Sequence, residues 1–364
     1  MIKNWNINDI LKIKETKTLN THEIISIVEQ FDSLNTFRNS SHPLVHKLNL
    51  SLLISGDHSI IDDIVNKNLE LCEKHNIKLI SFWDEEYPFL LKNIHYPPLI
   101  LYVKGKLQVS DAKSISVVGT RTHTVYGKLA TEKFVAEFVR NGLIITSGLA
   151  NGIDTRAHLE TIKNNGITYA IIASGIDCIN PAISKKNADK ILEANGAIIS
   201  EYPCGTKALP AFFPQRNRII SGISSATLVI ESAEKGGSLI TAKFAFDQGR
   251  TVFALPGNIF SEKSKGTHNL IVKNVALPAI SPEYVLNELG IKPSENKLNL
   301  NSETTTELDE NEKKLLDVID HEPRQVDDIA NLSGLETSTA LIKLLELEFR
   351  GLIRQLPGKH YVKI

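Results

Sequence analysis

Between residues 114 and 257 the chain repeats one unit: a short apolar run, often closed by a glycine, then an amphipathic stretch long enough for a helix. The runs predict strands at Ser114–Val118, Leu143–Thr146, Thr168–Ala173, Ala197–Ser200, Thr227–Glu231 and Thr251–Leu255. The stretches between them predict helices at Tyr126–Asn141, Ile153–Lys163, Ala188–Asn195, Gln215–Gly222 and Ser238–Asp247. Strands that are apolar throughout, rather than alternating, are buried on both faces. With a helix after each, they imply an α/β fold: a doubly wound, Rossmann-like parallel sheet. Ligands in such folds bind beyond the carboxyl ends of the strands. Gly119, Gly148 and Gly257 stand at those ends.

The flanks differ. Residues 1–106 read as a small helical module, with Ile24, Ile25, Val28 and Phe31 at helical spacing, and likewise Ile60, Ile61, Ile64 and Leu71. Prolines at 88, 97 and 98 end that pattern, and Leu99–Val103 looks extended. The sheet domain then spans 107–290. Residues 291–307 are polar and poor in apolar side chains, the composition of a linker. Residues 308–364 predict three short helices (Asp309–Asp320, Gln325–Leu332, Thr337–Arg350). A hairpin turning at Pro357-Gly358 completes a winged-helix layout.

Composition closes several function classes. Cys72, Cys178 and Cys204 form no C-x-x-C pair, so neither a disulfide framework nor a zinc ribbon is supported. No apolar run approaches the roughly 18–20 residues that span a bilayer, and the first residues lack the build of a signal peptide. A soluble cytoplasmic protein without metal or cofactor is the expectation. The net charge of −1 argues at first against a nucleic-acid partner, but it is an average. Residues 115–280 hold 18 basic and 12 acidic side chains, whereas residues 301–364 hold 8 and 13. A basic centre carries an acidic tail.

Four loops at the expected carboxyl edge carry the chemistry. Gly119-Thr120-Arg121 offers close backbone approach, exposed amides at a helix start and a guanidinium suited to phosphate. It is not G-x-G-x-x-G, and no acidic residue ends the second strand, so a dinucleotide is not expected. Gly148-Leu149-Ala150-Asn151-Gly152 is a second such turn, and two adjacent ones can make a continuous anion-binding rim. Two roles are open to Asp154, a helix cap or a general base. His158, one turn on, is within reach of Asp154, and two roles are open to it, a satisfied structural histidine or a catalytic one. Phe212-Phe213-Pro214-Gln215-Arg216-Asn217-Arg218 sets aromatics beside arginines, as unstacked bases and phosphates require, and Lys207 extends that surface. Gly237-Ser238, with Thr241 one turn in, is a third set of amides at a helix start. In the winged helix, the recognition helix carries only Lys343 before Glu346 and Glu348, which disfavours duplex binding.

In order along the chain, these runs resemble the DNA-processing protein A family, also called DprA or Smf. The resemblance rests on Val117-Val118-Gly119-Thr120-Arg121, Tyr126-Gly127, Ser147–Asp154 with Ala157-His158, and Ser200-Glu201. It continues through Phe213–Ile220, Gly237–Ala242, Pro256-Gly257-Asn258 and Gly266-Thr267. It covers roughly residues 85–290, with a sterile-alpha-motif-like module before and a winged helix after. It implies an extended Rossmann domain that binds single-stranded DNA, forms a homodimer and performs no catalysis. It further implies delivery of the RecA recombinase to incoming strands in natural transformation, alongside single-strand binding protein. By position, Arg121, Phe213, Arg216 and Arg218 become DNA contacts. With the loops they give the candidate set Gly119, Thr120, Arg121, Gly148, Asn151, Gly152, Lys207, Phe213, Arg216, Asn217, Arg218, Gly237, Ser238 and Thr241. The family often has a basic residue directly after the proline that follows the third strand. Here Ala182 follows Pro181, and Lys185 and Lys186 stand one turn on as substitutes. Two other classes compete. A phosphoribohydrolase-like nucleotide hydrolase resembles P-G-G-x-G-T-x-x-E, which Gly236-Gly237-Ser238-Leu239-Ile240-Thr241 matches only in part. A winged-helix transcription regulator would need duplex affinity, which the acidic tail opposes.

Overall fold

The computed structural model describes residues 4–54, 58–108, 113–292 and 308–363. They form a large unit, holding the N-terminal helices and the sheet, and a small C-terminal unit. Most of the expected linker, residues 293–307, lies outside the described residues. The large unit opens with helices α1 (Ile7–Glu15), α2 (Thr21–Gln30), α3 (Leu34–Arg38), α4 (Pro43–Ile54) and α5 (His58–Lys74). Then come β1 (Lys78–Ser81), α6 (Phe89–Lys92) and β2 (Ile100–Gly105). The alternating region follows as β3 (Ser114–Val118), α7 (Val125–Arg140), β4 (Ile144–Ser147), α8 (Ile153–Lys163), β5 (Thr168–Ile171), α9 (Ala182–Glu193) and β6 (Ala197–Ser200). It closes with α10 (Phe212–Gly222), β7 (Ala226–Val229), α11 (Ser238–Asp247), β8 (Thr251–Ala254), α12 (Lys265–Val272), β9 (Leu277–Pro278) and α13 (Pro282–Glu288).

These strands make one sheet in the order β1-β2-β6-β5-β4-β3-β7-β8-β9. From β6 to β9 every pairing is parallel, whereas β2 runs antiparallel to β6 and to β1. The α/β reading holds, with an antiparallel edge supplied by the segment before residue 106. The chain starts its parallel core at β3, builds outward to β6, then returns to β7 on the other side of β3. That reversal opens a crevice between the loops after β3 and β7, the usual ligand position in such sheets. Two helices start earlier than their apolar pattern predicts. α9 begins directly after Pro181, its first turns hidden in the polar run Ser184–Asn187, although Ser184 and Asn187 are buried. α10 begins at Phe212 because Pro214 fits a first turn, where its missing N–H has no partner to lose.

Side chains alternate across the strands and divide the core in two. Ile100, Tyr102, Ala170 and Ile198 face the N-terminal helices and pack with Ile10, Leu11, Ile24, Phe37 and Val65. Leu101, Val103, Ile171 and Ile199 face the opposite layer, with Tyr87, Leu91, Ile94, Ile219 and Ile220. The N-terminal helices therefore share a core with the sheet.

The small unit contains α14 (Glu310–Val318), β10 (Arg324–Gln325), α15 (Val326–Ser333), α16 (Thr337–Phe349), β11 (Ile353–Leu356) and β12 (His360–Lys363). Its strands pair in the order β10-β12-β11 beside three helices, a winged helix. Asp309 and Glu312 form a reciprocal capping box at α14. Lys343 on α16 pairs with Asp309 at 2.8 Å and Glu346 at 2.7 Å, so its charge is already matched. No described helix is long and apolar enough to cross a membrane.

Ile198 is fully buried in the core shared by the sheet and the N-terminal helices. Ile198→Ala should cost about 2–5 kcal/mol. Urea unfolding should show the N-terminal helices and the sheet losing stability together; loss confined to one of them would refute a shared core.

Candidate nucleic-acid interface

Backbone hydrogen bonds brace the loops at the carboxyl edge. The Thr120 amide donates to Glu231 O at 2.8 Å, tying the loop after β3 to that after β7. The Ile153 amide donates to Thr120 O at 3.1 Å, tying it also to the loop after β4. Gly152 caps α8 with φ of +90°, and a Cβ there would stand 2.2 Å from Thr120 O. Only glycine permits that crossing.

Beneath the loops two opposite charges are buried close together. Arg216 is 4% exposed and Asp154 7%. Arg216 Nη1 donates to Gly148 O at 2.5 Å and to Ile171 O, joining α10 to the ends of β4 and β5. Its Nε has no hydrogen-bond partner. Asp154 Oδ2 accepts from the Gly148 amide at 3.1 Å. A Cβ on Gly148 would meet Arg216 Nη1 at 2.6 Å and Asp154 Oδ2 at 2.7 Å, so the glycine makes room for the pair. Burial pushes the Asp154 carboxyl up to about 6, while Arg216 and the amides of Ala150, Gly148 and Gly119 oppose the rise. Burial lowers the Arg216 guanidinium to about 10, with Asp154 opposing.

The structure gives Asp154 a role other than capping and makes His158 the structural histidine that was one of its two readings. Asp154 is not the cap of α8: Gly152 is, and the Asp154 carboxylate turns back to Gly148. His158 does not pair with Asp154. Its Nδ1 meets Thr168 Oγ1 at 2.6 Å, and that hydroxyl donates to Ile145 O at 2.7 Å. The hydroxyl therefore accepts from Nδ1–H, leaving Nε2 unprotonated and without a partner. Burial, reinforced by Arg216, lowers His158 to about 3.

Above this base, two cavities run along the sheet edge and share Arg121, Ala150, Phe213 and Arg216. One, of about 360 Å³, occupies the crevice between the loops after β3 and β7. Gly119, Thr120, Asp154, Asn217, Gly237, Ser238 and Thr241 also line it. The other, of about 170 Å³, reaches the loops after β4 and β5 and is lined by Gly148, Asn151, Ser174, Pro181 and Ser184. At their common rim, the exposed Arg121 guanidinium lies 6.0 Å from the centre of the Phe213 ring, itself 37% exposed. That is a cation over an aromatic face, both open to solvent.

The remaining expected contacts lie elsewhere. Arg218 is paired with Glu201 at 2.5 Å and lines neither cavity. Two residues apart on a helix, Arg216 and Arg218 cannot share a face, whereas Phe213, Arg216, Asn217 and Ile220 do. Of the three arginines expected as contacts, Arg121 is exposed at the rim, Arg216 lines both cavities from a buried position and Arg218 is paired away from them. Phe212 stacks on Tyr202 with ring centres 4.3 Å apart. Lys185, Lys186 and Lys207 are exposed beside the smaller cavity without lining it, next to Ser184 and Ala208, which do. Gly152 lies under the rim as the α8 cap. Sequence reasoning missed Ser174 and Ser184; the Ser174-Gly175 turn after β5 was the available signal for the first. It also missed Lys263, whose Nζ donates to Thr122 Oγ1 at 3.0 Å beside the Arg121 loop.

Comparison with known proteins agrees with this architecture. The profile of the DNA recombination-mediator protein A family matches residues 78–290, and that of the DprA winged-helix domain matches residues 301–359. The chain belongs to the DNA recombination-mediator protein A family. Protein Smf of Escherichia coli K12, a similar relative, is 37% identical over 305 residues, which cover 82% of this chain and 81% of that protein. The X-ray structure of DNA processing protein A (DprA) from Streptococcus pneumoniae superposes with a TM-score of 0.65 at 31% identity, covering 77% of this chain and 97% of that one. DNA processing protein A from Helicobacter pylori, described as binding single-stranded DNA, superposes at 0.53 and 27% identity over 59% of this chain and 97% of its own. The family resemblance of the sequence and the loop geometry thus agree.

Asp154→Asn leaves the Arg216 charge buried without its counter-charge and should cost about 1–3 kcal/mol. The double substitution Asp154→Asn with Arg216→Met should recover much of that loss, as measured by urea unfolding. His158 adds a pH dependence. Its folded value of about 3 lies below the ordinary 6.5, so the unfolded chain binds a proton that the folded one refuses. That penalty is absent above about pH 6.5 and grows as pH falls toward 3. His158→Gln should lessen the loss of stability across that window in a pH series of unfolding midpoints.

Proposed function

We propose that the chain binds single-stranded DNA, without sequence preference, along the carboxyl edge of the sheet. It acts there as a recombination mediator that protects incoming DNA and loads RecA during natural transformation. The observation that supports this most is the exposed Arg121–Phe213 pair at the rim shared by two cavities. A single strand offers phosphates and unpaired base faces together, and this pair presents a cation and an aromatic face in one place. Backbone amides and the Asn151, Asn217 and Ser238 side chains around it supply further polar contacts. Lys185, Lys186, Lys207 and Lys263 flank the cavities as phosphate partners. The relative from Helicobacter pylori, described as a single-strand binder, supports the same reading.

The RecA, single-strand binding protein and homodimer parts of this reading rest on family membership, as does a cytoplasmic location. The reading assigns no chemical step and no cofactor to the loops. The winged helix is read as a protein-contact module, because Lys343, the cation expected on its recognition helix, is held by two carboxylates.

Binding should weaken with salt at a slope of about −0.7 per phosphate neutralised. In fluorescence anisotropy with a labelled oligothymidylate, Arg121→Ala should lower affinity and shallow that slope by about 0.7. Phe213→Ala should weaken binding by about 1–3 kcal/mol with the slope unchanged. Unaltered affinity in both variants would exclude this rim as the binding site.

A further inference from the structure

The cysteines, far apart in sequence, are not far apart in the fold. Cys72 comes from α5 and Cys204 from the segment between β6 and α10, yet their sulfurs lie 3.8 Å apart, in contact. Asn68, one turn before Cys72, holds both. Its Oδ1 accepts from the Cys204 amide at 3.2 Å and from the Cys72 thiol at 3.7 Å. Its Nδ2 donates to Tyr102 Oη at 2.7 Å, which fixes the carboxamide in turn. One anchored side chain thus sets the two sulfurs in register. A disulfide needs a sulfur separation of about 2.05 Å, so closure requires an approach of about 1.8 Å.

We propose that Cys72 and Cys204 are a modification site: a reversible disulfide, formed by peroxide, that fastens the segment after β6 to α5. The hydrogen bond between the sulfurs leaves the thiolate on Cys72 and the proton on Cys204, so Cys72 attacks the oxidant. It is 3% exposed, and peroxide reaches it past the partly exposed Cys204. The Cys72 sulfur attacks one peroxide oxygen and the O–O bond breaks. Cys72 becomes a sulfenic acid and the other oxygen leaves as water, taking the proton that Cys72 gave up. The Cys204 sulfur then attacks the sulfenic sulfur, and its S–OH oxygen leaves as a second water with the Cys204 proton. Two thiols lose two electrons and one peroxide gains them. The sulfur-to-sulfur hydrogen bond favours a thiolate on Cys72, the attacking form. Cys178 is spared, since the sulfur contact joins Cys72 to Cys204 and leaves it out. In a reducing compartment such a bond is transient, as a signal requires.

The tethered segment continues into Lys207 and Ala208, and Ala208 lines the smaller cavity. An effect on strand binding would rest on the function proposed above; the bond itself does not. Its test is accordingly chemical. The reduced full-length chain is treated with one equivalent of hydrogen peroxide, quenched with an alkylating reagent and analysed by intact mass and peptide mapping. Two of the three thiols should be lost within one chain, with Cys72 and Cys204 peptides linked and a thiol reductant restoring both. Cys178 should remain unlinked. Cys178→Ser should still form the link, which keeps the test informative if Cys72→Ser or Cys204→Ser folds poorly. A link that includes Cys178, one between two chains, or sulfinic acid without a link would overturn the proposal.

Discussion

The carboxyl edge of the sheet depends on the burial of one guanidinium. Arg216 reaches from α10 to the carbonyls that end β4 and β5, and its charge is balanced by Asp154 at the start of α8. Removed from water, neither charge is tolerable alone, so the pair commits three segments to one arrangement. The loops above inherit that arrangement. Gly148 must be small because the pair packs against it, and Gly152 must be a glycine because the Thr120–Arg121 backbone crosses it. Arg121 and Phe213 then stand where the base places them.

Much of this fold was legible in the sequence, because the strands of a two-face-covered sheet are apolar throughout. Ser114–Val118, Ala197–Ser200, Ile153–Lys163 and Ser238–Asp247 lie where the pattern puts them. The antiparallel edge was not legible. The four residues of β1 and the extended run of β2 carry no signal for which strand they join. That choice is made by packing, as Ile100 and Tyr102 face the N-terminal helices while Leu101 and Val103 face the other layer.

The site was legible as a set of loops and less so as a set of side chains. Glycines after strands mark positions where backbones approach, and those at 119, 148 and 237 do border the cavities. An arginine in sequence does not declare whether it faces solvent. Helical geometry supplied part of the answer in advance, since residues 216 and 218 cannot share a face. What the spacing left out was the acids: Asp154 and Glu201 are remote in sequence from the arginines they neutralise.

Those internal pairings change the meaning of the basic centre. Arg218 is committed to a carboxylate and Arg216 to backbone carbonyls within the fold, so where the positive excess of residues 115–280 stands, more than its size, decides what the groove offers to phosphate. On the proposed reading, attraction comes from Arg121, the exposed lysines 185, 186 and 207 and the half-buried Lys263, which stand beside the cavities rather than in their floor. A strand held at its edges by a few cations needs another source of affinity. The Phe213 face, next to Arg121 and open to solvent, is placed to supply it through stacking. Such a balance favours a ligand with exposed bases over a duplex, whose bases are already stacked. On this reasoning, the proposed preference for single strands originates less in charge than in one aromatic ring beside Arg121.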